Sequence, residues 1–250
     1  MKKVLFSVLL FSLALFSCKQ QAKQGATPED QEIKDAYVYM FARYLVIQQE
    51  IADVAKVDYN VVKYNPMGSA EFVNPNMDVL NTEAWFAVDD NNAVILNVPE
   101  VKDRYYTAEI MDEWGEVITN VNERVYPNHP YGKFALVKKG SNAVIPEGAE
   151  KIELPGYKAK MLARVEIKGT PEEALKLQKG FTIDKPEGIN IQKAVEIPVF
   201  TPTEPITVGV FDKVDEVLAS SPDQMPIAPE LQAKVHKVAA YVQSSPEARA

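Results

Sequence analysis

Ala84-Trp-Phe-Ala-Val-Asp-Asp-Asn-Asn-Ala-Val-Ile-Leu-Asn-Val98 is the stretch that decides how the chain reads. Two short apolar runs, Ala84–Val88 and Ala93–Val98, flank four consecutive Asp and Asn residues. Runs of this length, rich in β-branched and aromatic residues and bounded by turn formers, are strands. Asp89-Asp90-Asn91-Asn92 is predicted to join the two as a hairpin turn. The rhythm continues through Arg104–Met111, Glu116–Val121, Phe134–Lys138 and Met161–Ile167, with further turns at Lys139-Gly140 and Pro146-Glu147-Gly148. Several short strands at this spacing predict an antiparallel β-sandwich or barrel-like core. No internal repeat is visible.

Helical patterns flank this region. Thr27-Pro28-Glu29-Asp30 supplies an N-cap, a proline at the first helical position and acids in the first turn. Ile33, Ala36, Tyr37, Met40, Phe41, Tyr44, Leu45 and Ile51 then recur at spacings of three and four, predicting one amphipathic helix to about Ala55. A second helix is predicted from Thr170-Pro171-Glu172-Glu173 to about Lys179. Asp184 to Pro205 holds Pro186, Pro198, Pro202 and Pro205 and is predicted to be irregular. Two helices over roughly Val208–Ser220 and Glu230–Gln243 complete the chain, the latter with Leu231, Val235, Val238 and Val242 as its stripe.

The N-terminus reads as an export signal. Lys2 and Lys3 precede a 13-residue apolar run, Val4 to Phe16, interrupted only by Ser7 and Ser12. A helix crossing the ~30 Å hydrocarbon core takes roughly 20 residues, so this run is a secretory core and not a span. It ends in Leu15-Phe16-Ser17-Cys18, which resembles a bacterial lipobox, with Cys18 the only cysteine. The expectation is a signal peptide over 1–17, acylation of Cys18, and a flexible polar tether over 18–27. Cleavage removes two lysines and no acid, taking the formal charge from −8 to −10. The expected home is the bacterial cell envelope, with the membrane as partner through lipidated Cys18.

Composition excludes several functions. With 27 Lys and Arg against 35 Asp and Glu, the chain lacks the basic stripe of a nucleic-acid binder. One cysteine and two histidines, His129 and His236, leave no room for a cysteine-rich zinc site or a histidine cluster, and no metal or cofactor is expected. Gly-rich phosphate loops, a Gly-x-Ser-x-Gly elbow and His-Glu-x-x-His are absent. What remains is carboxylates, amides, tyrosines, tryptophans and arginines, which suit a small polar ligand, sugar-like or anionic, or carboxylate acid–base hydrolysis.

The densest such stretch runs from Val101 to Trp114. Read as a strand, it places Arg104, Tyr106, Ala108, Ile110, Asp112 and Trp114 on one face and Tyr105, Thr107, Glu109, Met111 and Glu113 on the other. An acid among apolar neighbours needs a partner, with Arg104, Arg124 and Arg164 available, or it is a pocket acid of raised pKa. A second stretch, Glu71 to Asn81, contains Asn74-Pro75-Asn76-Met77-Asp78. This is turn chemistry, or side chains at the mouth of a sandwich.

Phe72-Val-Asn-Pro-Asn-Met-Asp-Val-Leu-Asn-Thr-Glu-Ala-Trp85 resembles the R-P-N-x-D-T-L-Y-S-x-A-W signature of the DUF1254 family. The resemblance continues through Val94–Pro99, Arg104-Tyr105-Tyr106, Asp112 and Arg124, and upstream through Ala36–Tyr39. It covers about Asp35 to Phe181. It implies an exported, mostly β protein with an antiparallel sandwich-like domain, of unestablished biochemical role. Many relatives carry a following DUF1214 domain, for which this chain is too short. Asn76, Asp78, Trp85, Arg104, Tyr105, Tyr106, Asp112 and Arg124 match and are the implied ligand-binding set. Asn74, Val79, Asn81, Gly115-Glu116 and Asn122 depart from the pattern, removing an arginine and two hydroxyls.

The expectation is therefore an α+β fold. A β-rich domain over 28–185 begins with the helix, and a Pro-rich segment with C-terminal helices over 186–250 packs on it. Three functions remain open. They are binding of a small polar ligand or an envelope partner through a sandwich pocket, a hydrolase using Asp112 or Asp78 with Arg104 and Tyr106 positioning substrate, and a structural spacer.

Overall fold

The computed structural model describes residues 27–69 and 76–250. The expected signal peptide, Cys18, the expected tether as far as Ala26, and Glu71–Pro75 lie outside the described residues. The fold is mixed α+β, with two sheets, an N-terminal helix and C-terminal helices.

The first helix, α1, runs Asp30–Val54. Its cap lies at Glu29, two residues beyond Thr27, and the Glu29 N–H donates to the Glu32 carboxylate at 2.8 Å. Nine strands follow: β1 (Lys63–Tyr64), β2 (Val79–Ala87), β3 (Val94–Val98), β4 (Tyr106–Met111), β5 (Val117–Val121), β6 (Gly132–Lys138), β7 (Ala149–Leu154), β8 (Lys158–Glu166) and β9 (Thr182–Asp184). Helix α2 (Pro171–Gly180) separates β8 from β9. A 3-10 turn (Val208–Phe211) and helices α3 (Val214–Ser220), α4 (Ala228–Val242) and α5 (Pro246–Arg249) close the chain. Residues 185–207 form no helix or strand, as the prolines dictate.

One sheet has the order β1-β2-β8-β4-β5 and the other β7-β6-β3-β9. All pairs are antiparallel except β6 with β7. The sheets remain separate, so the sandwich alternative holds and the barrel alternative does not. Phe86, Ile110 and Met161 from the first sheet meet Leu96, Phe134 and Leu136 from the second, all fully buried. Each large side chain so buried stabilises by about 1.5–3 kcal/mol.

The predicted hairpin at Asp89–Asn92 is corrected by this topology. β2 pairs with β8, while β3 pairs with β6 and β9, so the turn carries the chain from one sheet to the other. Its chemistry is as read. Asp89 Oδ1 accepts from the N–H groups of Asn91 and Asn92 at 2.9 and 2.8 Å. Phe86 and Val94 both point into the one core from opposite sides, which consecutive hairpin strands in a single sheet would not do.

Helix α1 also departs from its predicted stripe. Ile33, Leu45 and Ile51 are exposed, and the buried face instead includes Tyr39, Arg43, Ile47, Glu50 and Asp53. Its apolar part forms a second core with Trp114, Phe211, Val217 and Val235. Its charged part meets polar groups on the outer face of the five-stranded sheet. There Trp85 Nε1 donates to Asp53 at 3.0 Å and Lys160 Nζ to the same carboxylate at 2.9 Å. Burial pushes the Asp53 carboxyl up, but the hydrogen bonds from Lys160 and Trp85 outweigh it and hold the group below the usual carboxylate range.

Candidate functional site: a polar cleft at one end of the five-stranded sheet

Antiparallel register brings three chain segments to one end of the sheet. Tyr106 at the start of β4 lies opposite Val165 near the end of β8, and Ala108 opposite Val121 at the end of β5. Residues just before β4, just after β5 and just after β8 therefore meet. They line an open cleft of about 770 Å³.

Arg104 is fixed by its neighbours. It donates to the Glu166 carbonyl at 3.2 Å and to the Glu173 carboxylate at 2.8 Å, clamping β8 to α2. Tyr105 is held by its backbone N–H, which donates to Glu166 Oε2 at 3.1 Å, while its side chain is 53% exposed. Tyr106 is buried, and its hydroxyl donates to the Pro130 carbonyl at 2.7 Å. Burial pushes that hydroxyl up to about 12. Asn122 Oδ1 accepts from the N–H groups of Arg124 and Val125 at 3.0 Å each. That turn presents Arg124 to the cleft, and the Arg124 guanidinium has no ion-pair partner among the described residues. Asp103 adopts a left-handed backbone (φ 59°), its carbonyl receiving Lys168 Nζ at 2.8 Å. Such conformations cost energy in non-glycine residues and gather at functional sites.

The lining is polar and balanced in charge. Arg104, Arg124 and Lys168 face Asp103, Glu123 and Glu166. Between them, Thr107 Oγ1 donates to Asn120 at 3.2 Å and receives Asn122 Nδ2 at 3.3 Å.

Of the sequence-derived set, Arg104, Tyr105, Tyr106 and Arg124 come together here. Asn76 and Asp78 sit at the same end of the sheet, beyond β8, but do not line the cleft. Asn76 Oδ1 accepts from the N–H groups of Asp78 and Val79, and the Asp78 carbonyl from Ile167 N–H. Trp85 is buried beneath α1. Asp112 lies beyond the other end of β4, more than the roughly 17 Å that five strand steps span. The strand stops at Met111. There Asp112 Oδ1 accepts from Trp114 and Glu116 N–H at 2.8 and 3.0 Å, closing the β4–β5 turn with Gly115 at φ +83°. Burial raises the Asp112 carboxyl, and these two N–H groups pull it back. Asp112 and Asp78 are not neighbours. Tyr131, Glu166 and Lys168, which complete the cleft, carried no signal beyond their residue types.

Sequence reasoning also missed a buried ionic group between α1 and the sheet. Lys158 Nζ lies 2.7 Å from Glu50 Oε1 and 3.2 Å from Glu113 Oε1. Tyr59 donates to Glu50 at 2.6 Å. Arg43 donates to the Glu113 carbonyl and to Ser220 Oγ, the latter at 3.0 Å. Its signal was Arg43 and Glu50 seven residues apart, two turns of one helix face. Among the described residues, no group of three or more His, Cys, Asp or Glu is placed to hold a metal, and no helix is long and apolar enough to cross a membrane.

These features define an α+β sandwich protein with a polar end cleft. The chain belongs to the family described as Protein of unknown function (DUF1254), whose model matches residues 58–185. Among solved structures it is similar to the VPA0106 protein from Vibrio parahaemolyticus, with TM-score 0.53 and 17% identity over 87% of this chain and 59% of that one. It also matches an uncharacterised protein from Burkholderia cenocepacia, with TM-score 0.34 and 10% identity over 89% of this chain and 52% of that one. The chain thus spans between half and six-tenths of these proteins' lengths. The Vibrio likeness concerns the fold alone. No curated protein sequence matches the chain.

Proposed function

We propose that this chain is a cell-envelope lipoprotein of the DUF1254 type that binds a small polar ligand in the cleft formed by Arg104, Tyr105, Tyr106 and Arg124. One observation carries the reading. The consecutive residues Arg104, Tyr105 and Tyr106, which lead into β4, and Arg124 from the turn after β5 converge on one open polar cavity, whereas Asp112 and Trp85 do not line it. Pockets of a few hundred cubic ångströms with convergent polar groups are where small ligands bind.

The test is a thermal-shift screen against sugars, nucleotides, organic acids and metals. Ligand at a hundred times Kd stabilises the native state by about 2.7 kcal/mol. For a chain of this size that raises Tm by roughly 5–10 °C. The shift is expected to vanish in Arg124→Ala, whose side chain has no internal role to lose. A shift that persists in that variant would place binding elsewhere.

The envelope address rests on Lys2-Lys3, the Val4–Phe16 run and Cys18. Cys18→Ser is expected to move the chain from the membrane fraction to the soluble fraction on cell fractionation; unchanged membrane recovery counts against the anchor.

A further inference from the structure

We infer that the ligand of this cleft is a neutral oligosaccharide, stacked on the rings of Tyr105 and Tyr131 and hydrogen-bonded by Asn120, Glu123 and Arg124. This rests on the polar-ligand reading above and narrows it to one chemical class.

The carrying observation is where the exposed aromatics lie. Among the described Phe, Tyr and Trp residues only two side chains are exposed, Tyr105 (53%) and Tyr131 (42%), and both line this cleft. The others are buried or half-buried. Exposed apolar ring surface is held at a cost unless something covers it. Both residues are anchored in ways that leave their rings free. Tyr105 is pinned through its backbone N–H, and the Tyr131 hydroxyl lies under the influence of the Glu100 carboxylate, which pushes it up. A tyrosine face offers flat apolar area with little entropy to lose, which matches the C–H face of a pyranose ring.

Charge selects the same class. Three cations and three carboxylates share the lining, so a phosphate or carboxylate ligand meets repulsion equal in kind to its attraction. An uncharged hydroxyl uses both signs, donating to Glu123 or Glu166 and accepting from Arg124 or Lys168. The carboxamide of Asn120, whose Oδ1 takes the Thr107 hydroxyl, adds a planar donor–acceptor pair in the same lining, while that of Asn122 is spent on its own turn. Shape narrows the choice again. The cleft is open to solvent and large, which admits a chain of sugar units and does not enclose a single ring.

The experiment presents the full chain to immobilised neutral and uronate-bearing oligosaccharides of two to six units, followed by calorimetric titration of the best binders. Binding to a neutral series is expected. Tyr105→Ala and Tyr131→Ala each should weaken it about tenfold, as loss of an anchoring aromatic does, while Tyr105→Phe retains it. Both side chains are exposed, so an unchanged Tm confirms that the variants fold. Binding confined to uronate-bearing chains overturns the proposal, as does neutral-sugar binding indifferent to both alanine variants. If no glycan binds but a nucleotide or organic acid gives an Arg124-dependent thermal shift, the saccharide class falls and the polar-ligand reading stands. If neither occurs, both fall.

Discussion

Lys158→Ala is expected to destabilise the protein by about 3–5 kcal/mol, the cost of leaving buried charges unpaired. Lys158 bridges Glu50 and Glu113, and all three side chains are nearly inaccessible. Lysine does not hold α1 to the sheet by ion pairing alone, because desolvation consumes most of what the pairing contributes. Its removal is costly because two carboxylates then face each other with only Arg43 and the Tyr59 hydroxyl as partners. A urea melt followed by circular dichroism reads the change as a lower midpoint at constant slope. The deficit also has a sign in pH. Burial already pushes the Glu113 carboxyl above the usual range, with Lys158 and Arg43 pulling it back. Without Lys158 it rises further. A carboxyl whose folded pKa exceeds its unfolded value penalises the fold when ionised, and the penalty disappears as pH drops below the unfolded pKa. The gap between Lys158→Ala and the parent should therefore narrow from pH 7 toward pH 4. A gap that is small at pH 7, or constant with pH, would show that the lysine is incidental.

Gly156→Ala is expected to cost about 2–3 kcal/mol through overpacking, although the new methyl is small and the glycine's backbone is ordinary. A Cβ at Gly156 would sit 2.5 Å from Glu113 Oε2 and 2.9 Å from Ser221 Oγ. Neither neighbour can step aside at low cost. Glu113 is held by Arg43 and Lys158, and Ser221 by the bond of its carbonyl to Trp114 Nε1 at 3.1 Å. Glycine serves here for close approach, allowing the β7–β8 turn to pass against a buried carboxylate. A double-mutant cycle isolates the cause. In a Glu113→Ala background the cost of Gly156→Ala should fall by about 1 kcal/mol or more, as contacting residues couple. Equal costs in both backgrounds would mean that the clash lies elsewhere.

The sandwich was legible where strands bury alternate residues, as in β3 and most of β8, or run apolar through their middle, as in β6. β7 was not, because Glu150, Lys151 and Glu153 dominate it and only Ile152 and Leu154 point inward. β1 and β9, of two and three residues, exist only through their partners. Pairing across the sandwich was equally hidden. Asp89–Asn92 has hairpin chemistry, and nothing local tells a hairpin from a crossing between sheets. In α1, helical spacing found the element and part of its buried face, Ala36, Met40 and Tyr44, but missed the charged part, since burial of Arg43 and Glu50 depends on charges more than sixty residues away. Part of the cleft was legible through Arg104-Tyr105-Tyr106 and Arg124. The strand reading carried on past Met111 to Asp112 and Trp114 because the alternation itself continues there. Only Gly115 marked the break.

The charged face of β7 has a consequence for how copies of this protein meet. β7 is an outer border of the four-stranded sheet, with Glu150, Lys151 and Glu153 exposed along it. β9 borders the other side, its exposed Thr182 and Asp184 bound to Asn97 of β3. A second molecule seeking to extend the sheet would have to bring its own backbone against one of these solvated borders, where lysine and acid side chains disfavour strand addition. This layer is self-limiting on both sides, so crowding many copies together should not turn the four-stranded sheet into a template for fibres.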